Sequence, residues 1–82
     1  MTTVTLYSRP DCHLCEEARE ALLALREEGR SFCLREVDIE SDENLLRAYL
    51  ERIPVIEVGG EIVSELVPDL VALRSRLDTV AA

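Results

Sequence analysis

Apolar residues recur every three or four positions between residues 12 and 28, the spacing that places side chains on one face of a helix. These apolar residues are Leu14, Ala18, Ala21, Leu22 and Leu25. Charged residues occupy most of the other positions. Gly29 follows at the place where a left-handed residue commonly ends a helix. The pattern therefore predicts a first helix with a single buried face.

Four other stretches have the composition of β-strands. Residues 4–7, 32–39, 55–58 and 61–63 are rich in β-branched and other apolar side chains. The charged residues within 32–39 indicate a strand at the edge of a sheet. Gly59-Gly60 separates the last two stretches, and a Gly-Gly pair between strands is typical of a β-hairpin turn.

Two further helices are predicted by the same helical spacing. Ser41 or Asp42 can cap a short second helix that runs to about residue 51. Its inward-facing residues are expected to be Leu45, Leu46 and Tyr49. Pro68 suits the first turn of a last helix, which runs to about residue 77. The apolar face of that helix is expected to contain Leu70, Leu73 and Leu77.

The predicted order is β-α-β-α-β-β-α, without a repeat or a linker, so residues 1–82 are expected to form a single domain. The first β-α-β unit implies a parallel pair of strands joined by a right-handed crossover. The closing hairpin adds antiparallel strands. We therefore expect an α/β fold in which helices cover both faces of a four-stranded mixed sheet.

The chain is acidic, with 9 basic and 17 acidic residues and a net charge of −8. Binding to nucleic acid or to an anionic membrane surface needs clustered Lys and Arg, so neither partner is expected. The first residues lack the pattern of a secretory signal, and no apolar run reaches membrane-spanning length. We expect a cytoplasmic protein, and a monomer.

The most informative motif is the CxxC pair formed by Cys12 and Cys15, which lies between the first strand and the first helix. N–H groups at a helix start are unpaired and carry the positive end of the helix dipole, so they stabilise a thiolate. Cys12 lies at the exposed first turn and is predicted to be the nucleophile. Cys15 lies one turn deeper and would resolve a mixed disulfide. The third cysteine, Cys33, lies within an apolar stretch and is predicted to be a buried core residue.

A CxxC pair at such a junction can also hold a metal ion or an iron–sulfur cluster. A tetrahedral site needs four ligands, and the sequence contains no second CxxC. Thiol–disulfide exchange is therefore the leading interpretation. Binding of a metal or cluster, including binding shared across a dimer, is the alternative.

Charged residues near the pair act in both directions. Arg9 and His13 are placed to stabilise a Cys12 thiolate. The carboxylates of Asp11, Glu16 and Glu17 oppose it. Arg9 and His13 are equally consistent with solvated surface residues that have no role at the site. We treat Arg9 and His13 as candidate substrate-binding residues.

Ile53-Pro54 is the second informative motif. Pro54 begins a strand that otherwise has the composition of a central strand, where proline is disfavoured except as the first residue. The Ile53-Pro54 bond can be cis, as X–Pro energetics allow, or trans.

Together these motifs resemble those of a glutaredoxin of the thioredoxin fold. The resemblance rests on residues 6–15 (LYSRPDCHLC), on Val37-Asp38, on Ile53-Pro54-Val55 and on Gly60 of the hairpin. It implies that Cys12 attacks, that Cys15 resolves, and that Ile53-Pro54 is a cis-proline loop facing the sulfurs. It also implies that the Ile53 backbone pairs with a bound thiol peptide, and that Tyr7 and Arg9 lie near a glutathione site. The expected substrates are protein or small-molecule disulfides, with no tightly bound cofactor and with glutathione as a candidate reductant.

The chain departs from the glutaredoxin pattern at two places. Glutaredoxins carry Gly-Gly and paired aspartates after the hairpin, whereas residues 64–69 read SELVPD here. Glu65 adds a carboxylate and Pro68 removes an N–H donor, so an anionic peptide would meet more repulsion and fewer donors. His13-Leu14 also replaces the usual Pro-Tyr between the cysteines. These departures weaken the expected dependence on glutathione.

Two non-enzymatic alternatives follow from the same motifs. A ferredoxin-like metallochaperone also begins with β-CxxC-α, but its order of β-α-β-β-α-β lacks the second helix and the Ile53-Pro54 loop. A thioredoxin-fold binding module could carry the same cysteines without ever cycling the disulfide.

Overall fold

The elements of the chain follow the predicted order in a computed structural model, which describes residues 2–81. The strands are β1 (Thr3–Ser8), β2 (Cys33–Asp38), β3 (Val55–Val58) and β4 (Glu61–Glu65). The helices are α1 (His13–Glu27), α2 (Glu43–Tyr49) and α3 (Leu70–Ala81), and a 3-10 turn at Ile39–Ser41 lies between β2 and α2. The observed order excludes the β-α-β-β-α-β order of a metallochaperone for this chain.

The four strands form one mixed sheet in the order β2-β1-β3-β4. β1 is parallel to β2 and antiparallel to β3, and β3 pairs with β4 as an antiparallel hairpin. Gly59 and Gly60 turn that hairpin with φ values of 59° and 88°, in the left-handed region that glycine enters without strain. The structure therefore confirms the mixed sheet, the hairpin and the edge position of β2.

The main core fills one face of the sheet. Alternation along β1 directs Val4 and Leu6 to this face, and both are fully buried. They pack against buried residues of α1, α3 and β3 and against the residue that precedes β2: Ala18, Leu22, Leu25, Phe32, Ile56, Val58, Leu73 and Leu77. Burying a leucine completely stabilises the fold by about 1.5–3 kcal/mol, so this cluster holds α1 and α3 on the sheet.

A second, smaller core lies on the opposite face beneath α2. Its buried members are Cys15, Ile39, Ile53 and Val55. Partly buried side chains from β1, from α2 and from the CxxC segment pack against it: Tyr7, Cys12, Leu45, Leu46 and Tyr49. Helices therefore cover both faces of the sheet, as predicted, and the second core joins the CxxC pair to Ile53.

Both α2 and α3 start from an aspartate: Asp42 is one of the two caps predicted for α2, whereas Asp69 was not predicted to open α3. Asp42 caps α2, accepting hydrogen bonds from the amides of Asn44 and Leu45 at 2.7 and 3.3 Å. Asp69 accepts one from the amide of Ala72 at 3.0 Å. Because that aspartate opens the helix, α3 begins at Leu70, two residues later than Pro68.

The prediction that Cys33 is buried is wrong, since the residue is exposed. Cys33 is the first residue of the edge strand β2 and lies beside Thr3, which is also exposed. Its neighbour Leu34 points to the main core. On the opposite face, α2 packs near Tyr7, toward the other end of β1 from the strand position that pairs with Cys33.

Two leucines assigned to apolar helix faces are also exposed. Leu14 is 41% exposed because the buried stripe of α1 runs through Cys15, Ala18 and Leu22 and leaves Leu14 to one side. Leu70 is 37% exposed at the start of α3. Within residues 2–81, no helix has both the length and the apolar character needed to cross a membrane.

Candidate active site

Cys12 and Cys15 are joined by a disulfide at the start of α1, with their Cα atoms 5.2 Å apart. Cys12 is the N-cap residue, with extended backbone angles of φ −101° and ψ 107°. The amide of Cys15 donates a hydrogen bond to the Cys12 sulfur at 3.2 Å. The amide of Glu16 donates to the Cys12 carbonyl oxygen at 3.1 Å. The first turn of the helix thus directs an N–H group at the Cys12 sulfur.

The two sulfurs differ in accessibility. Cys15 is 1% exposed and belongs to the second core, whereas Cys12 is only partly buried. An incoming thiol or disulfide can therefore reach Cys12 more readily than Cys15. An N–H donor and the positive end of a helix dipole stabilise negative charge, so the same position favours the Cys12 thiolate after reduction.

The segment that leads from β1 into the CxxC pair turns sharply at Asp11. Asp11 has a φ of 60°, in the left-handed region that aspartate tolerates better than most residues. This turn, between Pro10 and Cys12, carries the chain from the end of the strand to the N-cap of α1.

Ile53 and Pro54 lie on the same small core as the cysteines. The Ile53-Pro54 peptide bond is cis. Ile53 is 8% exposed and packs in the cluster that contains Cys15, against which Cys12 also packs. The Ile53 amide donates to the carbonyl oxygen of Tyr49 at 3.0 Å, so the loop is tied to the end of α2.

Tyr7 reaches the same region from β1. Its ring lies 4.7 Å from that of Tyr49, with the planes inclined by 32°. Burial raises the pKa of Tyr7, and the nearby Glu57 carboxylate raises it further. The structure therefore brings together Tyr7, both cysteines and the Ile53-Pro54 loop among the residues predicted from the sequence.

Arg9 and His13 are paired with carboxylates. Arg9 Nη2 lies 3.2 Å from Glu40 Oε2, and both side chains are 42% exposed. His13 Nε2 lies 3.4 Å from Glu17 Oε1, one helical turn along α1, and the His13 side chain is 84% exposed. Arg9 lies shortly before the CxxC pair and His13 lies within it, and their predicted roles toward a substrate stay predictions.

Two charged residues beside the Ile53-Pro54 loop were not singled out together from the sequence. Arg52 donates two hydrogen bonds to Glu65, from Nε to Oε1 at 2.7 Å and from Nη2 to Oε2 at 3.0 Å. The Arg52 guanidinium also lies 5.2 Å from the centre of the Tyr49 ring. The hydrogen bonds from Arg52 hold the pKa of Glu65 below its usual value. The charge of Glu65 is therefore compensated by Arg52. Glu65 was expected to repel an anionic substrate, and this pairing reduces that repulsion.

The segment after β4 lies beside the same loop. The amide of Leu66 donates to the carbonyl oxygen of Arg52 at 3.1 Å. Leu66 has a φ of 62° and is 50% exposed, and the next residue, Val67, is 70% exposed. The hydroxyl of the buried Ser64 accepts from the Asp69 amide at 2.9 Å. Apolar side chains and a helix cap thus replace the Gly-Gly and paired aspartates of glutaredoxins.

In the part of the chain that the structure describes, no three His, Cys, Asp or Glu side chains are grouped as ligands of one metal ion. Cys12 and Cys15 supply two sulfur atoms, whereas a tetrahedral metal site takes four ligands. The arrangement is chemically suited to forming and breaking the Cys12–Cys15 disulfide.

The fold and the CxxC pair define a protein of the thioredoxin fold. The solution structure of oxidised thioredoxin from Plasmodium falciparum superposes with a TM-score of 0.63 at 15% identity, covering 99% of this chain and 82% of that chain. The chain belongs to the glutaredoxin-like domain family (DUF836), whose sequence model matches residues 3–78.

Solved structures with higher sequence identity are also similar over most of their length. The X-ray structure of protein XcR50 from X. campestris is 38% identical, with a TM-score of 0.75, and the match covers 93% of this chain and 96% of that chain. The solution structure of protein Ne2328 from Nitrosomonas europaea is 27% identical, with a TM-score of 0.77, and the match covers 92% of this chain and 89% of that chain. No curated protein matches the sequence.

Proposed function

We propose that the protein is a thiol–disulfide oxidoreductase that cycles Cys12 and Cys15 between dithiol and disulfide. The observation that carries this proposal is the contrast between the two sulfurs. Cys12 is accessible and accepts an N–H at a helix start, while Cys15 is buried behind it at disulfide distance. One sulfur is suited to attack, and the other is suited to resolve.

In the reducing direction, the Cys12 thiolate attacks one sulfur of a substrate disulfide. A Cys12–substrate disulfide forms, and the other substrate sulfur leaves as a thiolate that takes up a proton. The Cys15 thiol then loses its proton and attacks the Cys12 sulfur, which releases the second substrate thiol. Two electrons pass from the protein to the substrate. Of the two protons taken up by the substrate thiols, one comes from the Cys15 thiol and the other from solvent, which received it when the Cys12 thiol ionised. Two thiols or one dithiol must then reduce the protein again.

The proposed substrates are protein or small-molecule disulfides, and the proposed location is the cytoplasm. The proposed reductant is a thiol, either glutathione or a protein dithiol. The neutral Arg52–Glu65 pair and the apolar Leu66 and Val67 offer fewer contacts to an anionic tripeptide than a glycine-rich loop with free N–H groups.

The proposal is tested by trapping the mixed disulfide. All variants carry Cys33→Ser, because Cys33 is exposed and would form adducts of its own. Reduced Cys15→Ser protein is mixed with oxidised glutathione or with bis(2-hydroxyethyl) disulfide and analysed by mass spectrometry. We expect one adduct, located on Cys12. The matched Cys12→Ser variant should form almost none, because Cys15 is buried.

Single-turnover kinetics of the protein with both active-site cysteines complete the test. Reduced protein should convert either disulfide to two thiols while forming the Cys12–Cys15 bond. Absence of any Cys12 adduct and of turnover would reject the oxidoreductase proposal in favour of a module that does not cycle its disulfide.

A further inference from the structure

We propose that the Arg52–Glu65 ion pair is a positioning element, which holds the Ile53-Pro54 loop in place opposite the Cys12–Cys15 disulfide. The inference rests on the proposed function, since it assigns two further residues to the same site. Arg52 directly precedes Ile53, and Glu65 is the last residue of β4. The pair therefore fastens the loop between α2 and β3 to the edge strand of the sheet.

Arg52 is held from several directions. Its amide donates to the carbonyl oxygen of Tyr49 at 2.8 Å, and its own carbonyl oxygen accepts from the amide of Leu66 at 3.1 Å. Its side chain lies over the Tyr49 ring and forms both hydrogen bonds to Glu65. Two charged hydrogen bonds in parallel fix the direction of the guanidinium as well as its distance.

The path from the ion pair to the disulfide is short and continuous. Arg52 is covalently linked to Ile53. Ile53 packs in the cluster that contains Cys15, and Cys12 packs against the same cluster. A shift of Arg52 therefore moves the backbone that borders the reacting sulfurs. The predicted role of the Ile53 backbone is to pair with the substrate, so its position affects the approach of a substrate disulfide.

The Arg52–Glu65 pair is expected to contribute little to the stability of the fold. Both side chains are 40% exposed, and exposed ion pairs contribute only about 0–1 kcal/mol to folding. An arginine that forms two hydrogen bonds to one carboxylate and stacks on an aromatic ring fixes the position of the nearby backbone more than it adds stability. The location beside the Ile53-Pro54 loop gives that constraint a function.

Two variants test whether the pair acts by positioning the loop or only by its charge. One variant keeps the negative charge of the pair and the other keeps the positive charge. Arg52→Gln leaves the Glu65 carboxylate alone, and Glu65→Gln leaves the Arg52 guanidinium alone. Each reduced variant is reacted in single turnover with cystamine, a cationic disulfide, and with oxidised glutathione, an anionic one. The assays are run in the Cys33→Ser background, well below the lowest midpoint of thermal unfolding.

If the pair positions the loop, both variants should lose rate toward both disulfides. We expect a decrease of roughly tenfold, since a misplacement of about 1 Å can cost up to 100-fold. The double variant should lose no more than either single variant, because the pair acts as one unit. The pKa of the Cys12 thiol, followed by thiolate absorbance, should stay unchanged, since the loop acts on the substrate side.

The matched control is Arg76→Gln. Arg76 pairs with Glu61 at 2.6 Å, at the opposite end of β4, and should not change the rates when its charge is removed. Arg52→Lys should recover only part of the lost rate, because an ammonium group cannot form the two parallel bonds.

Any of three kinetic outcomes would overturn the inference. They are unchanged rates in both variants, opposite preferences for the cationic and anionic disulfides, and a loss of rate that follows a shifted Cys12 pKa. Hydrogen exchange of the Leu66 amide gives a readout without activity, and it should be faster in both variants. If the unsubstituted protein reacts with neither disulfide, the proposed function fails, whereas unchanged Leu66 exchange rejects the positioning role alone.

Discussion

The ring of Tyr49 contacts both the ring of Tyr7, at 4.7 Å between ring centres, and the guanidinium of Arg52, at 5.2 Å. One side chain from α2 therefore contacts β1 and the residue that precedes the Ile53-Pro54 loop. Since Tyr49 also packs against the core that contains Cys15, it links three parts of the candidate site.

Replacing Tyr49 with alanine should destabilise the protein. The variant loses an aromatic contact, a cation–π contact and part of the packing against the second core. We expect the free energy of unfolding to fall by about 1–3 kcal/mol, measured by urea denaturation. Tyr49→Phe keeps the ring and should stay within about 0.5 kcal/mol of the original protein. An equal loss in both variants would show that the hydroxyl, and not the ring, carries the effect.

Replacing Leu66 with glycine should stabilise the protein, although it removes an apolar side chain. Leu66 has a φ of 62°, and the left-handed region costs a residue with a Cβ about 1–2 kcal/mol. Glycine relieves that strain at an entropic cost of about 0.5–1 kcal/mol. Because the side chain is 50% exposed, only part of its surface loses contact with the protein. We expect a gain of about 0.5–1 kcal/mol in urea unfolding.

Val67→Gly is the control for this prediction. Val67 is more exposed than Leu66 and adjoins it in the same loop, but it is not among the described residues with positive φ. Glycine there adds flexibility without relieving strain, so the free energy of unfolding should fall by about 0.5–1 kcal/mol. If both variants shifted in the same direction, backbone strain at Leu66 would not be the cause.

Asp69 should matter through its oxygen atom more than through its charge. Its carboxylate accepts from the Ala72 amide at 3.0 Å, and its own amide donates to Ser64 Oγ at 2.9 Å. Asp69→Ala removes the acceptor at the start of α3 and should lower thermal and urea stability by about 1 kcal/mol. Asp69→Asn keeps an acceptor and should lose less than half of that amount. Equal losses in the two variants would contradict a capping role.

Local patterns in the sequence predicted most of the fold. The spacing of apolar residues in α1 works because helix geometry alone decides which side chains share a face, and Ala18, Leu22 and Leu25 are all buried. Gly59-Gly60 predicted the hairpin because the turn conformation depends on those two residues. The order of elements then limited the sheet to few arrangements.

Some features that depend on distant contacts were not predicted. The exposure of Cys33 depends on where α2 lies over the sheet, which its strand sequence does not encode. The partner of Glu65 is 13 positions away and is set by the register of the hairpin, which places Glu65 opposite Val55. From the sequence alone the Glu65 carboxylate is therefore expected to be repulsive, since the arginine that neutralises it is brought close only by folding.

The network around Glu36 predicts a pH dependence of stability. Arg19 Nε donates to Glu36 Oε2 at 3.0 Å, a second Arg19 nitrogen contacts Oε1, and the hydroxyl of the buried Ser8 donates to Oε1 at 3.2 Å. These bonds, with that from Arg19 the largest cause, lower the pKa of Glu36 from its ordinary value of 4.5. The folded state therefore binds a proton at this site less readily than the unfolded state does.

A lowered pKa in the folded state means that the ionised carboxylate stabilises the fold. The contribution is fully present above pH 4.5, decreases as the pH falls below that value, and is lost once the pH passes the lower folded-state pKa. Since the pair is about a third exposed, we expect Glu36→Gln to lower the free energy of unfolding at pH 7 by no more than about 1 kcal/mol. The difference between the two proteins should shrink in urea titrations as the pH falls from about 5, and it should approach zero below the folded-state pKa of Glu36.

A double-variant cycle identifies which partner of Glu36 is responsible for the stabilisation. In an Arg19→Gln background, the main cause of the lowered Glu36 pKa is gone, so adding Glu36→Gln should change the free energy of unfolding little at any pH. If the effect of Glu36→Gln in the original protein stayed constant across the acidic titration, the Glu36 side chain would act through packing and not through its charge. An effect that persisted in the Arg19→Gln background would assign the stabilisation to the Ser8 hydrogen bond, which joins the carboxylate to the last residue of β1, four positions before Cys12.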